Sequence, residues 1–427
     1  MVMKAHKKIK SGMWLIVETV LVFVLGWFLA DPEIMKLYRS MFIPMGWDYE
    51  NVVVVPVDVL PDYDPDYRPE AMAQERMTED FRRIGEVISS VGGVKYAAPC
   101  RPYFPGIDNH MYGRVFRDST HFMECSMLYR VTGSDFMEVF GYEWVQPESS
   151  PFLTEDAVDR VVVSEDLAEF LFPGENPIGK SFESTESGTN VVVGVIPRQK
   201  LREITGVPTP VLIANIAAVN YDELSNGGAY WVVRVADGTD LDSFIPELNR
   251  VLSSQASFGN LRAAAAWPLE NKLQATMDVS LHNVGLIYLV LNLVLGAFSF
   301  WLLNSRKNQD EYGVRQAMGA TSARLRLSAV GRACRSTAIA VGIGIVLVLN
   351  VNLVLGRESA TVGAEFFGVY PAAETLTPWP VLTSGPLSVL MVTAVVAAAV
   401  FLMNILAALV SVWKVSGMRP SEALREE

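Results

Sequence analysis

The chain has 427 residues, half of them hydrophobic, with a mean hydropathy of +0.25 and a formal net charge of −12. That acidic balance argues against nucleic acid as a partner, because surfaces that bind DNA or RNA carry an excess of Lys and Arg. No histidine stands at metal-ligand spacing with another His or Cys, so we expect neither a zinc site nor another cofactor.

Four long apolar runs are the strongest feature of the sequence. Each has the roughly 17–25 apolar residues that a helix needs to cross a bilayer. The runs lie at residues 13–30, 282–303, 336–355 and 387–413. Only the interval between the first and second runs is long enough for a large folded domain. The sequence therefore predicts four transmembrane helices with one such domain inserted between helices 1 and 2.

Basic residues are concentrated in three short segments outside the apolar runs. These segments are 1–12, 304–335 and 414–427, and together they carry 14 basic and 5 acidic residues. Because basic segments stay in the cytoplasm, both chain ends and the 304–335 segment are predicted to be cytoplasmic. The large domain, 31–281, and the loop 356–386 are then external, and their charges sum to about −20.

The first run has two interpretations, a retained anchor or a cleaved signal peptide. The bulky Trp27 and Phe28 stand where a cleavage site needs small residues, which favours the anchor. Glu18 lies about five residues into the run, roughly 7–8 Å deep at 1.5 Å per residue. Its carboxylate either lies near the headgroups or a neighbouring basic residue, or it forms a proton or substrate site. We favour the first alternative, because no run contains a second acid for a relay.

The inserted domain has a mixed α/β pattern with an internal repeat. A Val-rich strand, an amphipathic helix and a second strand in residues 48–102 recur in the same order in 228–268. Two such β-α-β units can form one small sheet with helices on one face. Residues 103–227 would then be a β-rich inserted subdomain. The predicted strands are 51–60, 94–98, 160–164, 190–196, 211–213, 229–235 and 260–265, and the predicted helices are 75–91, 165–172 and 240–255.

One stretch matches a phosphate-binding loop by sequence alone. Gly174, Gly179, Lys180 and Ser181 fit the G-x-x-x-x-G-K-[ST] pattern, which requires a strand before the loop and a helix after it. Here a helical segment precedes the loop, and a turn-rich stretch leading to a strand follows it. We therefore expect a Gly/Pro turn and not a nucleotide site. The G-x-S-x-G motif of hydrolases is also absent from the sequence.

The cysteines allow one disulfide in the external domain. A bond between Cys100 and Cys125 would form in an oxidising compartment and would stabilise the fold by about 3 kcal/mol. The alternative is two separate buried thiols, and the geometry of the fold decides between the two. Cys334, near the third apolar run, is expected to be an inert buried thiol.

The segment after the second apolar run resembles the E-x-G-x-R-x-A-x-G-A signature of MacB/FtsX-type ABC transporter permeases. The matching residues are Glu311, Gly313, Arg315, Ala317, Gly319 and Ala320. Residues 420–426 resemble the P-x-E-A-L-R closing motif of the same family. Gln316 and Tyr312 depart from the signature, where a second Arg and an aliphatic residue are common. Four external stretches follow the order of the MacB-type periplasmic core: 129–136, 161–164, 171–180 and 193–195.

This resemblance implies a fold and a set of partners. The fold is a four-helix membrane part with a MacB-like α/β periplasmic core of two subdomains inserted between helices 1 and 2. The sequence contains no nucleotide-binding domain, so the resemblance is to a stand-alone, non-catalytic permease subunit of the bacterial inner membrane. Its partners would be a cytoplasmic ABC ATPase, a second permease subunit in a homo- or heterodimer, membrane lipid and, in some systems, a periplasmic adaptor protein.

The resemblance also implies a mechanism, in which ATP hydrolysis by the partner moves the external domain. Such mechanotransmission would export or extract a hydrophobic, peptide or lipoprotein cargo. The alternative is an FtsX-like regulatory scaffold that activates a cell-wall hydrolase, although the large two-part external domain resembles MacB more than the smaller FtsX type. A membrane enzyme or simple receptor is a third reading, which the absence of a catalytic constellation disfavours.

Coupling to the ATPase is expected in the segment 311–327. Glu311 and Arg315 can pair at i,i+4, and Gly313 and Gly319 allow close approach or a bend. The apolar stripe of this segment consists of Val314, Ala317 and Met318. The alternative is a short helix that lies in the headgroups, held there by its arginines. Both roles are compatible with each other, and the resemblance favours the ATPase contact.

Overall fold

The structure is a computed structural model, and it describes residues 2–107, 109, 111–146, 157–202, 204, 206, 208–254, 258–275, 281–355 and 386–416. The predicted external loop 356–386 and the closing motif at 420–426 therefore lie outside the described residues, apart from Pro386. The chain divides into two compact units, which are described separately. The membrane unit is Met1–Lys36, Val279–Val362 and Trp379–Glu427, and the external unit is Leu37–Asp278 and Gly363–Pro378.

Helix α1, Val2–Phe42, extends on both sides of the predicted span 13–30. Its apolar stretch is Met13–Asp31, which is long enough to cross a membrane. The residues that follow include good helix formers such as Glu33, Met35, Lys36 and Leu37, so the helix continues past the apolar stretch. It ends just before Pro44, since the residue preceding a proline is disfavoured in helical conformation.

The external unit consists of a sheet subdomain and an inserted barrel subdomain. The sheet subdomain contains β1 (Val52–Val59), a 3-10 turn (Pro69–Met72), α2 (Gln74–Ser90), β2 (Val94–Cys100), β9 (Ala229–Val235), α6 (Leu241–Ser254), β10 (Leu261–Ala263), β11 (Trp267–Pro268) and α7 (Leu269–Ala275). The inserted part contains β3 (Met111–Phe116), β4 (Phe122–Val131), α3 (Phe136–Val139), β5 (Arg160–Ser164), α4 (Glu165–Leu171), β6 (Ser181–Ser184), β7 (Gly188–Ile196), β8 (Val211–Ile216) and α5 (Tyr221–Ser225).

The sheet has the order β10-β1-β9-β2, and all its neighbouring strands are antiparallel. This is the arrangement of two split β-α-β units, as the internal repeat predicts. Strand β11 also pairs with β1, with Val53 opposite Pro268 and Val54 opposite Trp267. The barrel is closed in the order β3-β4-β8-β5-β7-β6, and closure removes the exposed strand edges that invite aggregation.

Both faces of β1 are buried, which explains why its sequence is an almost continuous run of valines. Val53, Val55 and Val57 pack in the cluster that contains the apolar faces of α2 and α6. Val52 and Val54 point the other way, into a cluster shared with residues of the barrel. The sheet is therefore the middle layer between two helices and the barrel. This layering supports the predicted α/β fold with two subdomains.

The membrane unit continues with three further apolar helices and one short one. They are α8 (Leu281–Lys307), α9 (Gln309–Ala317), α10 (Ser322–Leu355) and α11 (Pro386–Ser416). Among the described residues, four helices are long and apolar enough to cross a membrane, which agrees with the predicted fold class. Helix α10 begins at Ser322, earlier than the predicted boundary at 336, because the basic residues at its start are good helix formers.

Polar and small residues form one layer inside this helix bundle. Two apolar clusters lie on either side of the layer, and each helix contributes to both clusters. Between its contributions, α1 carries Glu18 and Thr19, α8 carries Gly296, α10 carries Thr337 and α11 carries Asn404. Both threonines and Asn404 are buried. A Cβ atom at Gly296 would overlap the Glu18 carboxylate, so this glycine leaves the space that the carboxylate fills.

Candidate functional site

The predicted coupling segment is a short helix between two long ones. Helix α9 follows α8 after one residue, Asn308, whose side chain is buried. The side-chain Nδ2 atom of Asn308 donates to the backbone carbonyl oxygen of Asn304 at 2.7 Å. The backbone carbonyl oxygen of Asn308 accepts from the Tyr312 N–H at 3.0 Å. These bonds join the end of α8 to the beginning of α9. The short helix is thus continuous with the membrane helix that precedes it.

Helix α9 has one buried and one exposed face. Tyr312 and Gly313 are buried, and Tyr312 has only 2% of its surface exposed. On the other face, Val314 and Met318 are 47% and 77% exposed, and Ala317 is also exposed. The apolar stripe predicted from the sequence therefore points away from the bundle in this chain. An exposed apolar face of this kind suits contact with a partner protein or with the lipid headgroups, which are the two alternatives that the sequence left open.

A Schellman motif ends α9 and sets the direction of the next helix. The N–H of Gly319 donates to the Gln316 carbonyl at 2.9 Å, and the N–H of Ala320 donates to the Arg315 carbonyl at 2.9 Å. Gly319 has φ +92°, a conformation that glycine adopts without the steric penalty of a Cβ atom. Gly319 and Ala320, at the end of the signature, therefore have a local structural role, which is to end α9.

The next helix begins immediately after this motif. The hydroxyl oxygen of Thr321 accepts from the Arg324 N–H at 3.3 Å, so Thr321 caps the N-terminus of α10. Ala320, just before it, packs against Tyr312 and Leu325. Backbone hydrogen bonds, a side-chain cap and an apolar contact therefore hold the turn between the two helices in one conformation.

The side chains of Tyr312 and Arg332 join α9 to α10 by a polar contact. The Nη2 atom of Arg332 donates a short hydrogen bond to the Tyr312 hydroxyl. The guanidinium also lies 5.7 Å from the centre of the Tyr312 ring. The two residues are 20 positions apart in sequence, and from the sequence alone Tyr312 is only a departure from the family signature. An aromatic residue with a polar tip inside a short charged helix is the one signal that could have indicated such a contact.

Glu311 and Arg315 form the predicted ion pair on the exposed side of α9. Their side chains meet at 2.7 Å between Arg315 Nη2 and Glu311 Oε1. Their side chains are 45% and 41% exposed, so the pair contributes little to stability, roughly 0.2–1 kcal/mol for an exposed pair. A cation–π contact joins α10 to α11, since the Arg326 guanidinium lies 3.9 Å from the Trp413 ring centre.

The phosphate-loop match lies in the barrel, between helix α4 and strand β6. Gly174 and Gly179 both have positive φ, at +67° and +79°, as expected for turn glycines. Lys180 pairs with Glu175, and its Nζ atom lies 5.3 Å from the Phe172 ring centre. Ser181 begins a strand and not a helix, so the loop lacks the helix N-terminus that phosphate binding requires.

Cys100 and Cys125 are free, buried thiols in different parts of the external unit. Cys100 lies on β2 in the layer between the sheet and the barrel, and Cys125 lies on β4 in the barrel core. This is the second of the two alternatives that the sequence left open, because the strands that carry them belong to different sheets. Burial raises the pKa of both thiols well above the ordinary range, which makes them poorly reactive.

Comparison with known proteins gives one family match. Residues 38–251 match the family model described as the MacB-like periplasmic core domain, which is half of the chain. No curated protein matches the chain. Among solved structures, the periplasmic region of MacB from Actinobacillus actinomycetemcomitans has 13% identity and a TM-score of 0.34, over 57% of this chain and 99% of its own. The extracellular domain of the noncanonic ABC-type transporter YknZ from Gram-positive bacteria has 14% identity and a TM-score of 0.29, over 49% and 99%.

Proposed function

The chain belongs to the MacB-like periplasmic core domain family of ABC transporter permeases, and we propose that it couples ATP hydrolysis by a separate cytoplasmic ATPase to movement of its external domain. In this proposal α9 and both chain ends are cytoplasmic, as the distribution of basic residues supports. The chain works with a second permease subunit in a bacterial inner membrane. Its cargo is hydrophobic, a peptide or a lipoprotein.

The observation that carries this proposal is the construction of α9. The helix is fixed on its inner face by Tyr312 and Arg332 and at its C-terminal end by the Schellman motif at Gly319. On the outer face it presents an apolar stripe beside a charged pair. The outer face can bind a partner, and the contacts of the inner face with α10 can pass a displacement of that partner to the membrane helices. Such an arrangement supports a docking role more than a passive position in the headgroups.

The test changes the exposed face of α9 without disturbing its inner face. Val314→Asp and Glu311→Lys should abolish co-purification of an ATPase with the chain from its native membrane, because both residues belong to the proposed contact. Stability should change little, since exposed substitutions are usually worth within about 0.5 kcal/mol. The readout is mass spectrometry of the purified complex together with its ATP hydrolysis rate.

Matched controls lie in the external unit. Val158 is 57% exposed, so Val158→Asp makes the same chemical change outside the proposed contact. Glu247 pairs with Arg250 at 2.6 Å on the surface of α6, so Glu247→Lys breaks a comparable ion pair. Both controls should retain the ATPase. If the α9 variants retain it too, the docking assignment is wrong, and co-purification of a cell-wall hydrolase in its place would favour the regulatory alternative.

A further inference from the structure

The segment that leaves α1 is attached to the external unit at several points. This exit segment is Ile43–Glu50, and it has no regular secondary structure. Met45 and Trp47 are buried, with 9% and 6% of their surface exposed. A flexible linker would instead be polar, exposed and rich in Gly or Ser. The burial of this segment shows that its first contacts with the external unit come within a few residues of the end of α1.

The first attachment is to the loop that follows β7 of the barrel. The Lys200 N–H donates to the Met45 carbonyl at 2.9 Å, and the Trp47 indole Nε1 donates to the Lys200 carbonyl at 2.8 Å. The side-chain amide of Gln199 donates to the Gly46 carbonyl at 2.9 Å. Three bonds therefore attach three consecutive residues of the exit segment to two residues of the barrel loop.

Gly46 allows this close approach. Its φ is +82°, in the region that favours glycine. A Cβ atom at this position would overlap the carbonyl oxygen of Arg198 and lie 2.7 Å from the Gln199 side-chain nitrogen. The two backbones are therefore packed directly against each other, and side chains do not separate them.

The second attachment is to strand β9 of the sheet. Arg234 is 8% exposed, and its guanidinium donates to the Asp48 carboxylate at 2.8 Å and to the Asp48 carbonyl at 2.9 Å. The same guanidinium donates to the carbonyl oxygens of Val139 at 2.8 Å and Glu50 at 3.2 Å. The Asp48 N–H donates to the Phe140 carbonyl at 2.8 Å. Arg234 thus joins the exit segment, the end of α3 and the central sheet.

We propose that the exit segment is a rigid joint, in which Trp47 and Asp48 attach the end of α1 to the barrel and to the sheet at the same time. A displacement of α1 then moves both subdomains, whereas a flexible linker would bend and leave them in place. This inference rests on the proposed function for its purpose, because a rigid joint matters if α1 transmits movement. The rigidity itself does not depend on any ATPase and can be measured alone.

The first measurement is the distance distribution between two spin labels in the purified full-length chain. One label is placed on exposed Leu37 of α1 (61% exposed) and the other on exposed Arg76 of α2, as Leu37→Cys and Arg76→Cys. Cys334 is replaced by Ser, and the two buried native thiols remain. A rigid joint gives a narrow distribution. Insertion of Gly-Ser-Gly between Phe42 and Ile43 should abolish that narrow distribution.

Substitutions separate the joint from the general stability of the fold. Trp47→Phe with Asp48→Asn removes the indole donor and one charge and should broaden the distribution. Trp231→Phe is the matched control, because it also removes an indole hydrogen bond, from Nε1 to the Phe81 carbonyl at 3.1 Å, but lies within the sheet subdomain. Circular dichroism melts show that each variant is folded. A wild-type distribution as broad as that of the insertion variant would overturn the proposal.

The second measurement distinguishes this inference from the proposed function. The insertion variant should still co-purify with the ATPase, since α9 is unchanged, but ATP should no longer alter the protease sensitivity of the external unit. If no ATPase binds the wild type, the proposed function is wrong. The spin-label distances still show whether the exit segment is rigid. If the insertion variant responds to ATP as the wild type does, the exit segment does not carry the movement.

Discussion

Replacing Tyr312 with Phe removes one oxygen atom from the contact between α9 and α10. That oxygen accepts the hydrogen bond from Arg332 Nη2, and the Tyr312 side chain is almost fully buried. The substitution leaves a guanidinium N–H without its acceptor, and hydrogen bonds to charged groups are worth about 1.5–3 kcal/mol. The ring remains, so the cation–π contact at 5.7 Å, worth about 0.5–1 kcal/mol, is retained. We therefore expect a loss of about 1.5–3 kcal/mol in the free energy of unfolding.

The assay is reversible unfolding of the membrane unit in mixed micelles at increasing SDS fraction. A double-mutant cycle with Arg332→Met isolates the pairwise term, because each single change breaks the same hydrogen bond. Tyr63→Phe is the control, since Tyr63 is 86% exposed in the external unit and should tolerate the change. A coupling energy below about 0.5 kcal/mol between positions 312 and 332 would refute the reasoning, because independent sites add within that range.

Three further predictions test other parts of the molecule. Cys100 and Cys125 should react with maleimide only after unfolding, and a mass lower by two hydrogens before reduction would contradict the free thiols. Burial raises the pKa of Asp166 in the folded state, so wild-type stability relative to Asp166→Asn should fall as pH rises from the ordinary Asp pKa of about 3.9, which thermal melts across that range can measure. Gly296→Ala should cost about 1–3 kcal/mol in SDS unfolding through overlap with Glu18, and Glu18→Ala should restore much of that loss; additive effects would contradict the overlap.

The sequence predicts those parts of the fold that depend on local patterns. The strands Arg160–Ser164 and Ala229–Val235 lie at the predicted residues, because β-branched runs bounded by turn residues have few alternatives. Strand β4, Phe122–Val131, was not predicted, since its Met, Glu, Cys and Ser residues have no alternation and it is buried by closure of the barrel. Barrel closure depends on pairing across long sequence distances, which local composition does not encode.

In the candidate site too, local features could be predicted from the sequence and contacts between distant segments could not. The family signature and the apolar stripe of α9 could be predicted, because both are local and the stripe follows helical spacing. The bond between Tyr312 and Arg332 and the attachment of Trp47 to the barrel could not. Each depends on two segments that meet only after the chain has folded. The docking of an ATPase on α9 stays a prediction until the substitutions are made.

Strand β1 has one more consequence, which follows from its pairing with β11. Strand β1 is the first strand of the external unit and β11 is its last, and the pairing of Val53 with Pro268 brings the two strands side by side. A module whose ends are adjacent can be inserted into a host without separating the host's own segments. The sheet subdomain therefore has its first and last strands at neighbouring positions, which suits it to insertion between two helices of a host. Evolution could replace or enlarge it on the same membrane helices, and an engineer could graft a different head between α1 and α8.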